Sequence, residues 1–85
     1  MGCFLVERYV AATGEAALVE ETQRLTAGAT GEVQLLLTLY APEEESCLHV
    51  FAAPSLALVE FASREAGVVF DRVASVVQIA NEGSR

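Results

Sequence analysis

The 85-residue chain has no lysine or tryptophan, one histidine, two cysteines and two prolines. Five arginines stand against twelve acidic residues, so the formal net charge is −7. Phosphate backbones and anionic membrane surfaces attract clustered positive charge, so we expect neither nucleic acid nor a membrane as a partner. No apolar run reaches the roughly 18 residues of a membrane span, and no basic segment opens the chain. The sequence therefore predicts a cytoplasmic protein with reduced thiols.

Motifs of the common enzyme classes are also missing. The sequence contains no G-x-S-x-G elbow, no glycine-rich phosphate loop and no H-E-x-x-H pair. A non-catalytic protein is therefore the leading expectation. Apolar residues make up 53% of the chain, although a chain of this length buries only roughly 60–65% of its surface. The apolar surplus predicts a homodimer.

The pattern of β-branched, aromatic and turn-forming residues predicts six elements in a single domain over residues 1–85. Strands are expected at Cys3–Val10, Val33–Tyr40, Cys47–Ala53 and Arg72–Ala80. The first helix is expected to begin at Thr13, bury Leu18, Thr22 and Leu25, and end between Gly28 and Gly31. The second is expected to begin after the N-cap Ser55 and end at Gly67, and residues 81–85 are expected to form a flexible tail.

This element order, βαββαβ, predicts a ferredoxin-like α+β fold. Right-handed crossovers give a four-stranded antiparallel sheet in the order 4-1-3-2, with both helices on one face. The other face is left open. Because the strands carry apolar residues on both sides, we expect two copies to pack through their open faces.

The strand order also predicts where the chemistry-bearing residues meet. Pairing the midpoints of strands 1 and 3 brings Glu7 close to His49. It separates Cys3 from Cys47 by roughly 20 Å at about 3.3 Å per residue, which predicts two free thiols. Burying Glu7 and His49 is costly, so we place them on the open face. The predicted ligand pocket or dimer face there comprises Leu5, Glu7, Tyr9, Thr38, Tyr40, Cys47, His49 and Phe51.

Cys47, His49 and Glu7 are the candidate metal ligands. Imidazole, thiolate and carboxylate together suit nickel, zinc or copper. The alternative is that His49 makes a hydrogen bond at an interface while Cys47 packs as a small hydrophobic residue. A C-x-H pair alone falls short of the four ligands of a structural metal site. The acidic run Glu43–Glu45 is interpreted as a solvated turn that ends strand pairing.

Three segments resemble a known family. Phe4–Tyr9 (FLVERY) resembles an F-x-V-E-R opening strand, and Tyr40–Glu44 with Ser46–Ser55 resembles the family's hairpin and helix start. Ala66–Val73 (AGVVFDRV) resembles the signature A-G-x-P-x-D-R-V, with Val69 at the usual proline. The chain thus resembles a bacterial family of small nickel-binding-like proteins of unknown function.

The resemblance implies a ferredoxin-like fold, a homodimer and a nickel site. Nickel-binding members carry histidines in strand 2 and helix 2, whereas Leu37–Leu39 and Glu60–Ala62 contain none here. His49 is then the one available imidazole, and two copies at a dimer axis would supply two imidazoles and two thiolates.

The function expected from the sequence is therefore binding by a small homodimeric protein. The ligand is a transition-metal ion (nickel or zinc) or a small apolar molecule on the open sheet face. One alternative is a small dimeric cofactorless enzyme of monooxygenase type, in which His49 or Tyr9 moves a proton. The other is a non-catalytic interaction module.

Overall fold

The computed structural model describes residues 2–11, 14–28 and 31–79. In these residues the elements are β1 (Gly2–Tyr9), α1 (Glu15–Gly28), β2 (Gln34–Ala41), β3 (Ser46–Ala53), α2 (Leu56–Glu65) and β4 (Arg72–Val76), with a 3-10 turn at Pro42–Glu44. The strands form one antiparallel sheet in the order β2-β3-β1-β4. The predicted ferredoxin-like α+β fold is confirmed. No helix of the described ranges is long and apolar enough to cross a membrane.

The core lies between the sheet and the two helices. Phe4 and Val6 of β1 pack with Phe51 of β3, with Leu25 of α1 and with Val59 of α2. All five side chains are buried. Alternate residues of a strand point to opposite sides of the sheet, so these contacts identify the face that the helices cover.

The second helix begins and ends as its sequence predicts. The backbone N–H of Leu58 donates to the Ser55 hydroxyl at 3.3 Å, which satisfies a free donor at the helix N-terminus. Gly67 follows the helix with a φ of +80°, a left-handed conformation that favours glycine.

The fourth strand is shorter than predicted. It was expected to reach Ala80 but ends at Val76, which pairs with Cys3. β1 itself begins at Gly2, and the described pairing of the two strands ends at Cys3. Ala80, the predicted tail 81–85 and the predicted helix start at Thr13 lie outside the described residues.

The pairing of β1 with β3 differs by one residue from the predicted pairing. His49 lies opposite Val6, and Glu7 lies opposite Leu48. Side chains alternate along a strand, so a shift of one residue moves every side chain to the other face. Glu7 therefore lies on the open face, whereas His49 lies under the helices.

A β-bulge at Leu36 sets the orientation of β2. Leu35 pairs with Phe51 and Thr38 pairs with His49, so the two residues between them on β2 oppose the single residue Val50 on β3. The extra residue allows both Leu35 and Thr38 to face the helices. Leu36 and Leu37 are left exposed, at 47% and 45%.

Candidate functional site

The residues predicted to share the open face divide between the two faces of the sheet. Leu5, Glu7 and Tyr9 do lie on the open face, because they alternate with the core residues of β1. The other five, Thr38, Tyr40, Cys47, His49 and Phe51, lie on the face that the helices cover. The predicted exposure of His49 and Cys47 on the open face is wrong: both side chains are 0% exposed.

A chain of four polar side chains offsets the burial of His49. The Arg8 guanidinium donates from Nη1 to Oε1 of Glu21. Oε2 of Glu21 lies 2.7 Å from Nε2 of His49, and Nδ1 of His49 lies 2.8 Å from Oγ1 of Thr38. This buried polar chain takes one residue from each of β1, α1, β3 and β2.

The chemistry of the donors and acceptors indicates where the hydrogens lie in the buried polar chain. The Glu21 carboxylate accepts from Arg8 on one oxygen, so its other oxygen also accepts, and Nε2 of His49 carries the hydrogen. In the tautomer that carries its one hydrogen on Nε2, Nδ1 has a free lone pair that accepts from the Thr38 hydroxyl. The charges of Arg8 and Glu21 cancel, and buried charges are tolerated in such pairs.

Glu21 is a site residue that was not predicted from the sequence. The predicted inward stripe of α1 was Leu18, Thr22 and Leu25, whereas the structure buries Leu18, Glu21 and Leu25. Glu21 is only 4% exposed. Its spacing of three residues from Leu18 and four from Leu25 matches a helix stripe. The signal was present, but a carboxylate is ordinarily placed toward solvent.

Cys47 carries a buried thiol beside the buried polar chain. Its Sγ lies 3.8 Å from Nε2 of His49. Burial, followed by the negative charge of Glu21, raises the pKa of the Cys47 thiol to about 11, while Arg8 acts in the opposite direction. The thiolate is the form that attacks substrates and binds metals, and the raised pKa keeps Cys47 in the thiol form at neutral pH. Both Cys3 and Cys47 are free thiols, as predicted.

The predicted metal ligands do not fit a shared ion. Glu7 accepts from Nε of Arg72 at 2.9 Å, on the face opposite His49 and Cys47. Both ring nitrogens of His49 already have protein partners. The part of the chain that is described contains no group of three His, Cys, Asp or Glu residues able to hold a metal ion. Nickel or zinc binding therefore stays a prediction, but Glu7, Cys47 and His49 are no longer its proposed ligands.

Tyr9, the other predicted proton carrier, is engaged at the end of β1. Its hydroxyl donates to Oε1 of Glu45 at 2.9 Å, and its backbone N–H donates to Oδ2 of Asp71 at 2.6 Å. The hydrogen bond to Glu45, together with the charge of that residue, raises the pKa of Tyr9. Tyr9 therefore holds its proton more tightly than a free tyrosine.

A groove between α1 and β2 reaches the buried polar chain. Its volume is about 470 Å³, within the range of small-molecule sites. Its wall includes Leu18, Val19, Thr22, Thr38, Tyr40 and Pro42. Thr38 belongs both to this wall and to the polar chain, so a molecule in the groove lies one hydroxyl away from His49.

The fold and the groove together define a ferredoxin-like α+β domain with a ligand-sized groove beside a buried histidine. Comparison of the chain with known protein families, curated proteins and solved structures finds no match. Membership of the nickel-binding-like family therefore stays an expectation from the three resembling segments.

Replacing Glu21 tests the buried polar chain. Glu21→Ala leaves Nε2–H of His49 buried without an acceptor, and we expect it to lower the free energy of unfolding by about 3 kcal/mol. The matched control is Glu20→Ala, an exposed neighbour on the same helix, which should change stability by less than about 0.5 kcal/mol. Urea unfolding measures both variants. Equal losses would contradict the role of Glu21.

The Cys47 thiol predicts a loss of stability in alkali. Its pKa rises from 9.0 to about 11 on folding, so between these values the unfolded chain binds fewer protons and stability falls as the pH rises. The expected loss is on the order of 2 kcal/mol. Urea unfolding of the wild type at about pH 8 and about pH 11 should show this loss beyond that of Cys47→Ala. The same pH dependence in both proteins would contradict it.

Proposed function

We propose that this protein is a homodimeric small-molecule-binding domain that holds its ligand in the groove between α1 and β2. The observation that carries the proposal is that Thr38 both lines the groove and is hydrogen-bonded to the buried His49. A polar group of the ligand would meet a hydroxyl whose direction is held by the polar chain. The apolar part would lie against Leu18, Val19 and Tyr40.

The charge around the groove favours a neutral ligand. Glu15 is the one charged residue of its described wall, and the chain carries a net charge of −7. An anion would be repelled by both the local and the overall charge. The Thr38 hydroxyl offers a hydrogen bond in place of a counter-ion. We therefore propose a neutral, largely apolar molecule with one hydrogen-bonding group.

Filling the groove tests this proposal. Val19 is 54% exposed in the groove wall, so Val19→Trp would occupy the groove without disturbing the core. We expect it to weaken binding of neutral para-nitrophenol at least tenfold, about 1.4 kcal/mol, in isothermal titration. The control is Val69→Trp, which alters a residue that is 80% exposed outside the groove.

Two results would contradict a ligand in this groove. The first is no binding to the wild type at roughly 1 mM probe, which is weaker than a specific site requires. The second is equal affinity of the wild type and Val19→Trp, which would place the probe elsewhere.

The open face of the sheet supports the homodimer. Its side chains are mostly apolar: Cys3, Leu5, Leu37, Leu39, Leu48, Val50, Ala52, Ala74 and Val76. Glu7 and Arg72, the charged residues that the described strands place there, pair with each other. The domain measures 34 × 33 × 20 Å, which is large enough to offer the roughly 800 Å² that each partner buries in a stable complex. A second copy of the chain offers a matching apolar face.

Placing a charge at the centre of this face tests the dimer. Leu48 lies between Glu7 of β1 and Leu39 of β2. Leu48→Glu would bury two unpaired carboxylates across the two-fold axis, so we expect a monomer, while Val69→Glu stays dimeric. Sedimentation equilibrium measures the mass, and circular dichroism checks the fold. A monomeric wild type, or a dimeric Leu48→Glu, would contradict the proposed interface.

A small dimeric cofactorless enzyme is the second candidate function. The contact between Thr38 and His49 favours it, because it connects the groove to a side chain that can carry a proton. This candidate uses the same groove and the same dimer. It differs from simple binding in that the ligand would change its protonation state.

A further inference from the structure

We infer that Thr38 and His49 form a proton relay, which takes the proton of an acidic hydroxyl on a molecule held in the groove. The inference rests on the proposed function, because the molecule must first bind between α1 and β2. It adds a chemical class for the ligand, a phenol or an enol, and a role for the buried polar chain.

The geometry gives His49 access to the groove through one hydroxyl. The imidazole is fully buried, so no ligand reaches it directly. Thr38 lines the groove, and its Oγ1 lies 2.8 Å from Nδ1 of His49. A threonine hydroxyl donates one hydrogen and accepts others, so it can accept from a ligand while it donates to His49.

A carboxylate faces the ring nitrogen of His49 that points away from Thr38. Oε2 of Glu21 lies 2.7 Å from Nε2, and it accepts from the N–H there both before and after a proton reaches Nδ1. Four other titratable groups face this region. They are Arg8 of β1, which is paired with Glu21; Cys47 of β3, which keeps its proton; and Tyr40 of β2 and Glu15 of α1 in the groove wall. Protonated His49 would give the polar chain one net positive charge, opposite to the oxyanion left on the ligand.

The transfer is a balanced double proton shift. The O–H bond of the ligand breaks, its proton bonds to Oγ1 of Thr38, and the ligand oxygen keeps the electron pair. At the same time the original Thr38 hydroxyl proton moves to Nδ1 of His49. The products are a ligand oxyanion and an imidazolium, so no oxidant, reductant or further reactant is involved. A later return of the proton restores the starting state.

The acidity of the donor selects the class of ligand. An unperturbed imidazole has a pKa of about 6.5 and a phenol of about 10. This gap is small enough for a well-placed counter-charge to offset, whereas an aliphatic alcohol is far less acidic. The apolar wall of Leu18, Val19 and Tyr40 suits a ring. A neutral aromatic or enolic hydroxyl compound therefore fits both the wall and the relay.

The absorbance of para-nitrophenol tests the relay, because only its ionised form absorbs strongly in the visible range. We expect binding to the wild type to lower the apparent pKa of the probe by about one unit, a tenfold shift toward the ionised form. The acidic surface of the protein alone would raise that pKa, so the direction of the shift is diagnostic.

Three variants assign the shift to Thr38. Thr38→Val keeps the shape of the side chain but removes the hydroxyl, so the probe should bind without the shift in its pKa. Thr38→Ser should restore the shift. Thr22→Val is the matched control, because Thr22 lines the same groove, whereas the side-chain partners of the His49 ring are Thr38, Cys47 and Glu21. This variant should keep the full shift.

Binding and ionisation are measured separately, so the two claims fail separately. Probe binding by isothermal titration with no fall in the probe pKa would overturn the relay and leave the binding function standing. An equal shift in the wild type and Thr38→Val would overturn the role of Thr38. Absence of binding to the wild type would overturn both the relay and the proposed groove.

Discussion

The contact between Glu21 and His49 is the interaction on which the rest of the structure depends. It joins helix α1 to the central strand β3 through a carboxylate and an imidazole that are both buried. A charge in this position requires a partner, which Arg8 supplies, and the second ring nitrogen requires one as well, which Thr38 supplies. This polar contact, together with the apolar packing of Leu18 and Leu25, therefore sets the orientation of α1 and of one wall of the groove.

The buried polar chain also explains how the two faces of the sheet divide their roles. Because Glu21 and Thr38 satisfy both ring nitrogens of His49, the helix-covered face can hold a histidine beside an apolar core. The open face then carries one ion pair, between Glu7 and Arg72, among apolar side chains. In the proposed account that face receives a second copy of the chain, and the groove on the opposite side of the sheet stays accessible to a ligand.

The sequence predicted the fold well because its strongest signals are local. The cap at Ser55, the left-handed Gly67 and the acidic turn after Pro42 each mark an element boundary through neighbouring residues. The site was predicted poorly, because it depends on a register shift of one residue and on the bulge at Leu36. The rule that polar groups avoid the core then placed His49 on the wrong face. Its partner Glu21 lies 28 residues away in sequence.

The protonation of the His49 ring tests this account most directly, and the chain's single histidine makes its NMR signals unambiguous. A long-range ¹⁵N–¹H correlation spectrum of the free protein near neutral pH distinguishes the two ring nitrogens. We predict a hydrogen on Nε2, facing Glu21, and a bare Nδ1 that accepts from Thr38. A ring protonated on Nδ1, whether or not Nε2 is also protonated, would contradict it.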